Sequence, residues 1–271
     1  MKRLRTITAG ELVKQVVYTV PRLSDTKKQR AEKSQATKAA QAKMNYKNSA
    51  EHLEFMIAAN FKNDDYFVTL TFNDENLPKD HTAMRDSLRS FFRSIRGEYR
   101  RTGEPLKYIY TLEGRDSEET RLHTHVIINS RGSYAADKEL FCSMWPFGFV
   151  NVKSVKTFVS SVSLPDENMY SALAGYMCKD QYTPNGAQRY TGSRNLLKPV
   201  SACEELPDSV TLSEPPTGAL VIDRDNHETL YGSYRYVKYI YPPLLIMSSG
   251  ESVPATAPRS QGRKRKEPSR I

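Results

Sequence analysis

The feature that most constrains the fold is a pair of apolar stretches joined by a short polar link. Residues 107–113 and 121–129 are rich in aromatic and β-branched side chains, whereas residues 114–120 between them are mostly polar. Parallel strands need a crossover of about a dozen residues or more, so this short link permits only an antiparallel pair. The hairpin therefore predicts a chain folded around an antiparallel sheet.

Further strands and helices alternate around this hairpin. Residues 66–72 and 149–155 have the β-branched and aromatic composition of strands. Apolar residues recur at helical spacing in 82–101, and shorter helices are predicted at 137–144 and 167–179. This order predicts an α+β domain whose central antiparallel sheet, of about five strands, is flanked by helices.

Charge and composition divide the 271-residue chain into three parts. Residues 1–60 are predicted to be a basic, largely helical N-terminal extension, because the first fifty residues hold twelve Lys and Arg against three acids and the later ones favour helix. Residues 61–200 are predicted to form the α+β domain. Residues 201–271 are predicted to be a C-terminal extension with one strand at 231–241 and a basic, disordered tail.

The bulk composition narrows the class of protein. A net charge of +9 favours a polyanionic partner such as nucleic acid. The chain has no run of about 18 apolar residues, so no membrane-spanning helix is predicted, and no secretory signal is indicated. Its cysteines, Cys142, Cys178 and Cys203, are widely spaced, which argues against a disulfide framework or zinc knuckle and favours the cytoplasm.

A candidate metal site lies in the second strand of the hairpin, at His123-Thr124-His125. Residues i and i+2 of a strand point to the same face, so both imidazoles can reach one metal ion. Pairing with 107–113 brings Glu113 close to them. Such mixed nitrogen and oxygen ligands suit Mg²⁺ or Mn²⁺ when a phosphate supplies further oxygens. Taken alone, the His-x-His pattern fits ordinary packing or surface histidines as well. Three other histidines are interpreted as isolated surface residues: His52, His81 and His227.

A candidate nucleophile lies in the helix predicted at 167–179. Tyr176 and Lys179 are three residues apart and share one helical face. A phenol is a poor nucleophile near its free pKa of about 10, but a nearby ammonium and a metal-polarised phosphate favour its attack on phosphorus. The alternative is an amphipathic helix with a half-buried tyrosine and a solvated lysine.

Together these motifs resemble those of the rolling-circle replication initiators of the HUH endonuclease superfamily. The nearest likeness is to replication-associated proteins of filamentous phages, microviruses and related mobile elements. A strand motif at 67–72, the His123-x-His125 motif with Glu113 upstream, and Tyr176-x-x-Lys179 occur in the order found in initiators. The resemblance extends through 144–152 and 193–199 and covers roughly residues 45–200.

The resemblance implies an enzyme that nicks and joins single-stranded DNA at a specific site through a 5′-phosphotyrosine intermediate. It implies that Glu113, His123 and His125 bind the divalent metal and that Tyr176 and Lys179 are catalytic. A single-stranded or hairpin origin, a host helicase and a host polymerase are the implied partners, in the cytoplasm of a bacterial host. The chain has no phosphate-binding loop of the helicase type, so a partner is expected to unwind the duplex.

Two positions depart from the family pattern. Thr124 stands where a bulky hydrophobic residue is usual, and Ala172 stands where several relatives carry a second catalytic tyrosine. Tyr170 lies about 120° around the helix from Tyr176 and is predicted to have a packing role. The chain is therefore predicted to be a one-tyrosine enzyme. Basic residues are predicted to bind the nucleic acid: Arg121, Arg194, Lys198, Arg263, Lys264 and Arg265.

Three other classes of protein stay open at this stage. A non-catalytic single-stranded nucleic-acid-binding protein would use the basic ends and would stack bases on sheet aromatics. An HUH transposase would perform the same chemistry on other DNA ends, although the extra length argues against it. A zinc hydrolase would need a third His or a Cys near the histidine pair, and none is evident. The sheet aromatics in question are Tyr66, Phe72, Tyr108 and Tyr110.

Overall fold

The structure is a computed structural model, and it describes residues 1–20, 38–114, 121–155, 169–179, 189–210, 212, 214–229 and 232–241. The helices in these ranges are α1 (Lys38–Asn60), α2 (His81–Arg101), α3 (Tyr134–Met144) and α4 (Met169–Lys179). The strands are β1 (Lys2–Ala9), β2 (Leu12–Thr19), β3 (Tyr66–Thr71), β4 (Tyr108–Glu113), β5 (His123–Ile128), β6 (Val150–Ser154), β7 (Thr191–Gly192), β8 (Val200–Leu206), β9 (Leu220–Thr229) and β10 (Gly232–Ile240).

These strands form two antiparallel sheets of five strands each. The first sheet, which we call the central sheet, has the order β6-β3-β5-β4-β7. The second, which we call the terminal sheet, has the order β8-β1-β2-β10-β9. The predicted α+β class and the predicted antiparallel sheet are confirmed.

One face of the central sheet packs against α2 and α3. Alternate residues of β3, Tyr66, Val68 and Leu70, are buried there with the apolar stripe of α2. α2 begins after Asp80, whose carboxylate accepts a hydrogen bond from the Ala83 amide at 2.8 Å. The opposite face of the same sheet packs against α1 and α4. The two sides of each strand therefore serve different helix pairs.

The predicted organisation of residues 1–60 is wrong at its beginning. Lys2–Ala9 and Leu12–Thr19 form a β-hairpin rather than helix, with Gly10 in the turn at a φ of 57°. The prediction relied on charge and on the composition of later residues, and net charge does not determine backbone conformation. Leu12, Lys14 and Val16 alternate along one buried face, which is a strand pattern. Only Lys38–Asn60 is helical as predicted.

The two predicted extensions meet in the terminal sheet. β1 pairs with β8, and β2 pairs with β10, so residues from both ends of the chain share one sheet. The strand expected at 231–241 is present as Gly232–Ile240, and β8 and β9 accompany it. The tail predicted to be disordered, with Arg263, Lys264 and Arg265, lies outside the described residues.

α1 joins the two sheets. Its apolar residues, among them Leu53 and Ile57, pack with Ile109 and Ile127 of the central sheet. Toward the terminal sheet, Glu54 accepts a hydrogen bond from buried Lys238 of β10 at 2.9 Å. None of the helices in the described ranges is long and apolar enough to cross a membrane.

Candidate metal and tyrosine site

The register of two central strands brings three potential metal ligands together. Glu113 ends β4 and lies directly opposite His123, the first residue of β5. His125 lies opposite Thr111, one pleat further along. Directly opposed residues of an antiparallel pair point to the same face, as do residues two apart on one strand. The three side chains consequently converge on the face that carries α4.

Their donor atoms are close enough to share one ion. The Nε2 atoms of His123 and His125 lie 3.2 Å and 3.4 Å from the same Oε2 of Glu113. One ligand atom from each residue lies within 4.8 Å of the others. The side chains of Glu113 and His125 are only 8% and 4% exposed, whereas that of His123 is half-buried. The cluster is therefore reached from the His123 side.

The electrostatics of the cluster favour an ionised carboxylate. Burial raises the pKa of Glu113, but hydrogen bonds from His123 and His125 outweigh burial and hold this pKa at about 2. The same hydrogen bond raises the pKa of His123. The negative charge of Glu113 is thus matched by neighbouring nitrogen donors and is present across the neutral range.

One atom of the cluster indicates that the residues fit a cation. The Oε1 of Glu113 is buried and has no hydrogen-bond partner. An unsatisfied buried carboxylate oxygen costs about 1–3 kcal/mol or more, so such atoms usually have a bound ligand. Two imidazole nitrogens and a carboxylate are a suitable donor set for a divalent ion whose other positions stay open.

Neighbouring groups hold both imidazoles in orientation. The Nδ1 of His123 lies 2.9 Å from the carbonyl oxygen of Arg121, so Nδ1 donates and Nε2 keeps its lone pair for a ligand. The Nδ1 of His125 lies 3.0 Å from the hydroxyl of Thr69. The ring of Phe67 stacks on His125 with centroids 5.1 Å apart. The sequence-based analysis missed Thr69 and Phe67, since only the β3–β5 register reveals their contact with His125.

Tyr176 reaches this cluster from α4. Its hydroxyl lies 3.2 Å from the Nε2 of His125, and its ring meets the ring of Phe67 edge-on. The Tyr176 side chain is 53% exposed, so an incoming group can approach its oxygen. Met177 and Cys178, which follow Tyr176 in the helix, are fully buried and fix the helix on the core.

A contact from α1 also holds the tyrosine helix. The hydroxyl of Tyr46 donates to the Gly175 carbonyl at 3.2 Å. Tyr170 is buried in the core, as predicted for a packing role, and Ala172 is exposed. Lys179 is exposed in the last turn of α4, one turn beyond Tyr176.

The predicted nucleic-acid-binding residues lie in different places. Arg121 is next to the site, where its guanidinium donates to the Phe72 carbonyl at 3.0 Å and pairs with Asp74 at 2.6 Å. Arg194 and Lys198 are exposed and line a groove of about 860 Å³. Arg263, Lys264 and Arg265 are outside the described residues.

The interpretation of His81 as a surface residue is wrong. His81 is buried, and its Nε2 lies 3.1 Å from the Gly114 carbonyl oxygen at the end of β4. His81 follows the N-cap of α2, so its ring points into the core where that helix begins. His52 and His227 are exposed, as predicted.

Comparison with known proteins agrees with this site. Residues 65–181 match the sequence model of a family described as replication-associated protein ORF2. The chain has no significant match among curated proteins or among solved structures. The matched segment runs from β3 through α4 and includes all five predicted metal-binding and catalytic residues.

The match defines the class of this protein. The segment 65–181 belongs to a replication-associated protein family, which supports the predicted resemblance to rolling-circle replication initiators. A role in the initiation of DNA replication follows at that level of detail. β1, β2 and the three last strands lie outside the matched segment.

Proposed function

We propose that this protein is a metal-dependent DNA endonuclease and ligase of the HUH type, which nicks a single-stranded origin to start rolling-circle replication. The observation that carries the proposal is the 3.2 Å distance between the Tyr176 hydroxyl and the Nε2 of His125. A surface-accessible phenol thus lies at the edge of a carboxylate and imidazole cluster inside a replication-associated domain.

Glu113, His123 and His125 are the residues that would hold the ion. A divalent Mg²⁺ or Mn²⁺ bound there would polarise a phosphoryl oxygen and stabilise the charge that develops on it. Thr69 and the Arg121 carbonyl keep the two imidazoles in place while the phosphate binds. These contacts support the ligand set from outside the cluster.

The nucleophile is the Tyr176 oxygen. It forms a bond to phosphorus as the bond from phosphorus to the 3′ oxygen breaks, and the phenol proton is transferred in net terms to that oxygen. The products are a 5′-phosphotyrosine link and a free 3′ hydroxyl, which can prime synthesis. Attack by a 3′ hydroxyl on the phosphotyrosine reverses the step and joins the DNA.

Lys179 is placed to assist at the same phosphate. It lies one turn from Tyr176 on the same helix and is exposed, so its ammonium can reach a non-bridging oxygen. Ala172 leaves the helix without a second tyrosine at the spacing found in several relatives. We therefore propose a one-tyrosine mechanism in the bacterial host cytoplasm, with a host helicase and polymerase as partners.

The proposal is tested with labelled single-stranded DNA that includes the origin of the element encoding the protein. Wild-type protein with Mn²⁺ should give a covalent adduct on a denaturing gel, and EDTA should abolish it. Tyr176→Phe should form no adduct, whereas the matched variant Tyr46→Phe should retain it. Salt-sensitive binding without any adduct would instead favour a non-catalytic nucleic-acid-binding protein.

A further inference from the structure

A turn at one edge of the central sheet holds an exposed aromatic ring beside the candidate site. The Phe149 side chain is 78% exposed and stands just before β6. Its neighbours in the turn are packed, since Trp145 is fully buried and Phe147 lies against the core. A phenyl ring this exposed gains little from the core, so the turn does not need it for stability.

The backbone around Phe149 is tied firmly to the end of β3. The Thr71 amide donates to the Phe149 carbonyl at 2.9 Å, and the Phe149 amide donates to the Thr71 hydroxyl at 3.2 Å. The Trp145 indole donates to the Thr71 carbonyl at 2.9 Å. Gly148 lies so close to this strand that a Cβ there would be 2.4 Å from the same oxygen. The exposed ring is thus carried by a rigid backbone.

Strand alternation places this ring on the catalytic face. Val150 and Val152 of β6 pack into the core beneath α2 and α3. Phe149, Asn151 and Lys153 alternate with them and so project to the opposite face, which carries His123 and His125. Asn151 and Lys153 are exposed. We call these three residues the edge strip.

The edge strip lies close to the reacting groups. Asn151 is paired with Thr69, and Thr69 is paired in turn with His125. Neighbouring strands are about 4.8 Å apart, which puts the strip roughly 10 Å from the histidines across the sheet. β6 is the outermost strand in the order of the central sheet, so the strip borders open space on its far side.

We propose that the edge strip binds the single-stranded DNA next to the scissile phosphate. Phe149 stacks on an unpaired base, Asn151 hydrogen-bonds to a base edge or a sugar, and Lys153 pairs with a phosphate. Side chains two residues apart recur about every 7 Å along a strand, which gives an extended chain successive contacts. An aromatic face favours unpaired bases over duplex, because only an unpaired base offers a free π surface. The inference rests on the proposed nickase function and specifies how its substrate is held.

The test measures binding of fluorescein-labelled oligothymidine by fluorescence anisotropy. Phe149→Ala should weaken binding roughly 5- to 100-fold, as expected for loss of one stacked base. Phe149→Trp should restore binding, whereas Phe149→Leu, which is apolar but cannot stack, should not. Tyr241→Ala removes an exposed aromatic next to the terminal sheet and should leave binding unchanged.

A second measurement tests the ammonium group of the strip. Lys153→Gln should reduce the slope of log affinity against log salt by about 0.7, the value for one phosphate contact with a single strand. Lys138→Gln, an exposed lysine of α3, should leave the slope unchanged. Equal binding by wild type, Phe149→Ala and Lys153→Gln would overturn the edge strip. Adduct formation by Tyr176 is scored separately, so its absence would refute the nickase function and not the binding result.

Discussion

The hydroxyl of Tyr176 and the Nε2 of His125 lie 3.2 Å apart, and the same nitrogen lies 3.4 Å from the Glu113 carboxylate. The candidate nucleophile and the candidate metal ligands therefore meet at one atom. These residues come from α4, β5 and β4, so the site depends on how the tyrosine helix docks on the central sheet.

Metal binding should depend on the buried carboxylate. Titration calorimetry with Mn²⁺ should show one site in the wild-type protein and none in Glu113→Gln, because the amide removes the anionic ligand. Saturating Mn²⁺ should also raise the melting temperature, with a gain of about 2.7 kcal/mol at 100 times the dissociation constant. The control His227→Gln changes an exposed histidine of β9 and should bind Mn²⁺ like wild type. Undiminished binding by Glu113→Gln would show that these residues do not form the metal site.

The ion pair between Lys238 and Glu54 should be costly to break from one side. Both side chains are buried, so Lys238→Met leaves an unpaired carboxylate and should lower the free energy of unfolding by about 3–5 kcal/mol. The double variant Lys238→Met/Glu54→Leu should recover most of this loss, because it removes both charges. Urea unfolding of the four proteins measures the coupling. Additive losses in the double variant would contradict a direct interaction between the two groups.

Two glycines should respond to alanine in opposite directions. A Cβ at Gly148 would lie 2.4 Å from the Thr71 carbonyl oxygen, so Gly148→Ala should destabilise the protein by about 1–3 kcal/mol. Gly97 lies within α2 and has open space around its Cβ position, so Gly97→Ala should stabilise by up to about 1 kcal/mol. Thermal unfolding distinguishes the two effects. A neutral Gly148→Ala would mean that the Trp145 turn is not held tightly against β3.

The three cysteines should differ in reactivity. Burial raises the pKa of the Cys178 thiol from 9.0 to about 11, with a smaller opposing effect from Arg189. Iodoacetamide reacts with thiolate, so near pH 9 it should label exposed Cys142 and Cys203 well before Cys178. Peptide mapping by mass spectrometry measures the order, and urea should remove the difference. Equal labelling of all three in the folded protein would contradict the docking of α4.

The same shift has a consequence for stability. The folded-state pKa of Cys178 lies above that of the unfolded chain, so folding favours the protonated thiol. Its contribution to the free energy of unfolding is complete below about pH 9 and is lost as the pH rises toward about 11. Cys178→Ala should show a weaker decline in stability over that range than wild type.

The sequence predicted the central sheet and its ligand cluster because both depend on local patterns. The His-x-His spacing determines a shared face on any strand, and a short link determines the antiparallel partner that carries Glu113. The helix with Tyr176 was predicted at nearly its observed bounds. What brought Tyr176 to His125 is tertiary packing of α4 on α1, which no local pattern encodes.

The terminal sheet was missed for a related physical reason. β1 and β2 pair with strands near residue 200 and beyond, so their hydrogen-bond partners are distant in the sequence. Their basic residues suggested a solvated arm, yet Lys14 and Lys238 are buried and paired with Glu51 and Glu54 of α1. His81 was misread because an isolated histidine gives no sign that a carbonyl such as that of Gly114 will face it.

The most direct test of the central claim is to locate the bond between protein and DNA. Wild-type protein is incubated with single-stranded origin DNA and Mn²⁺, digested with nuclease and protease, and mapped by tandem mass spectrometry. The account predicts a nucleotide joined through its 5′ phosphate to Tyr176. A nucleotide on any other residue, or a DNA chain cleaved without any covalent link, would contradict it.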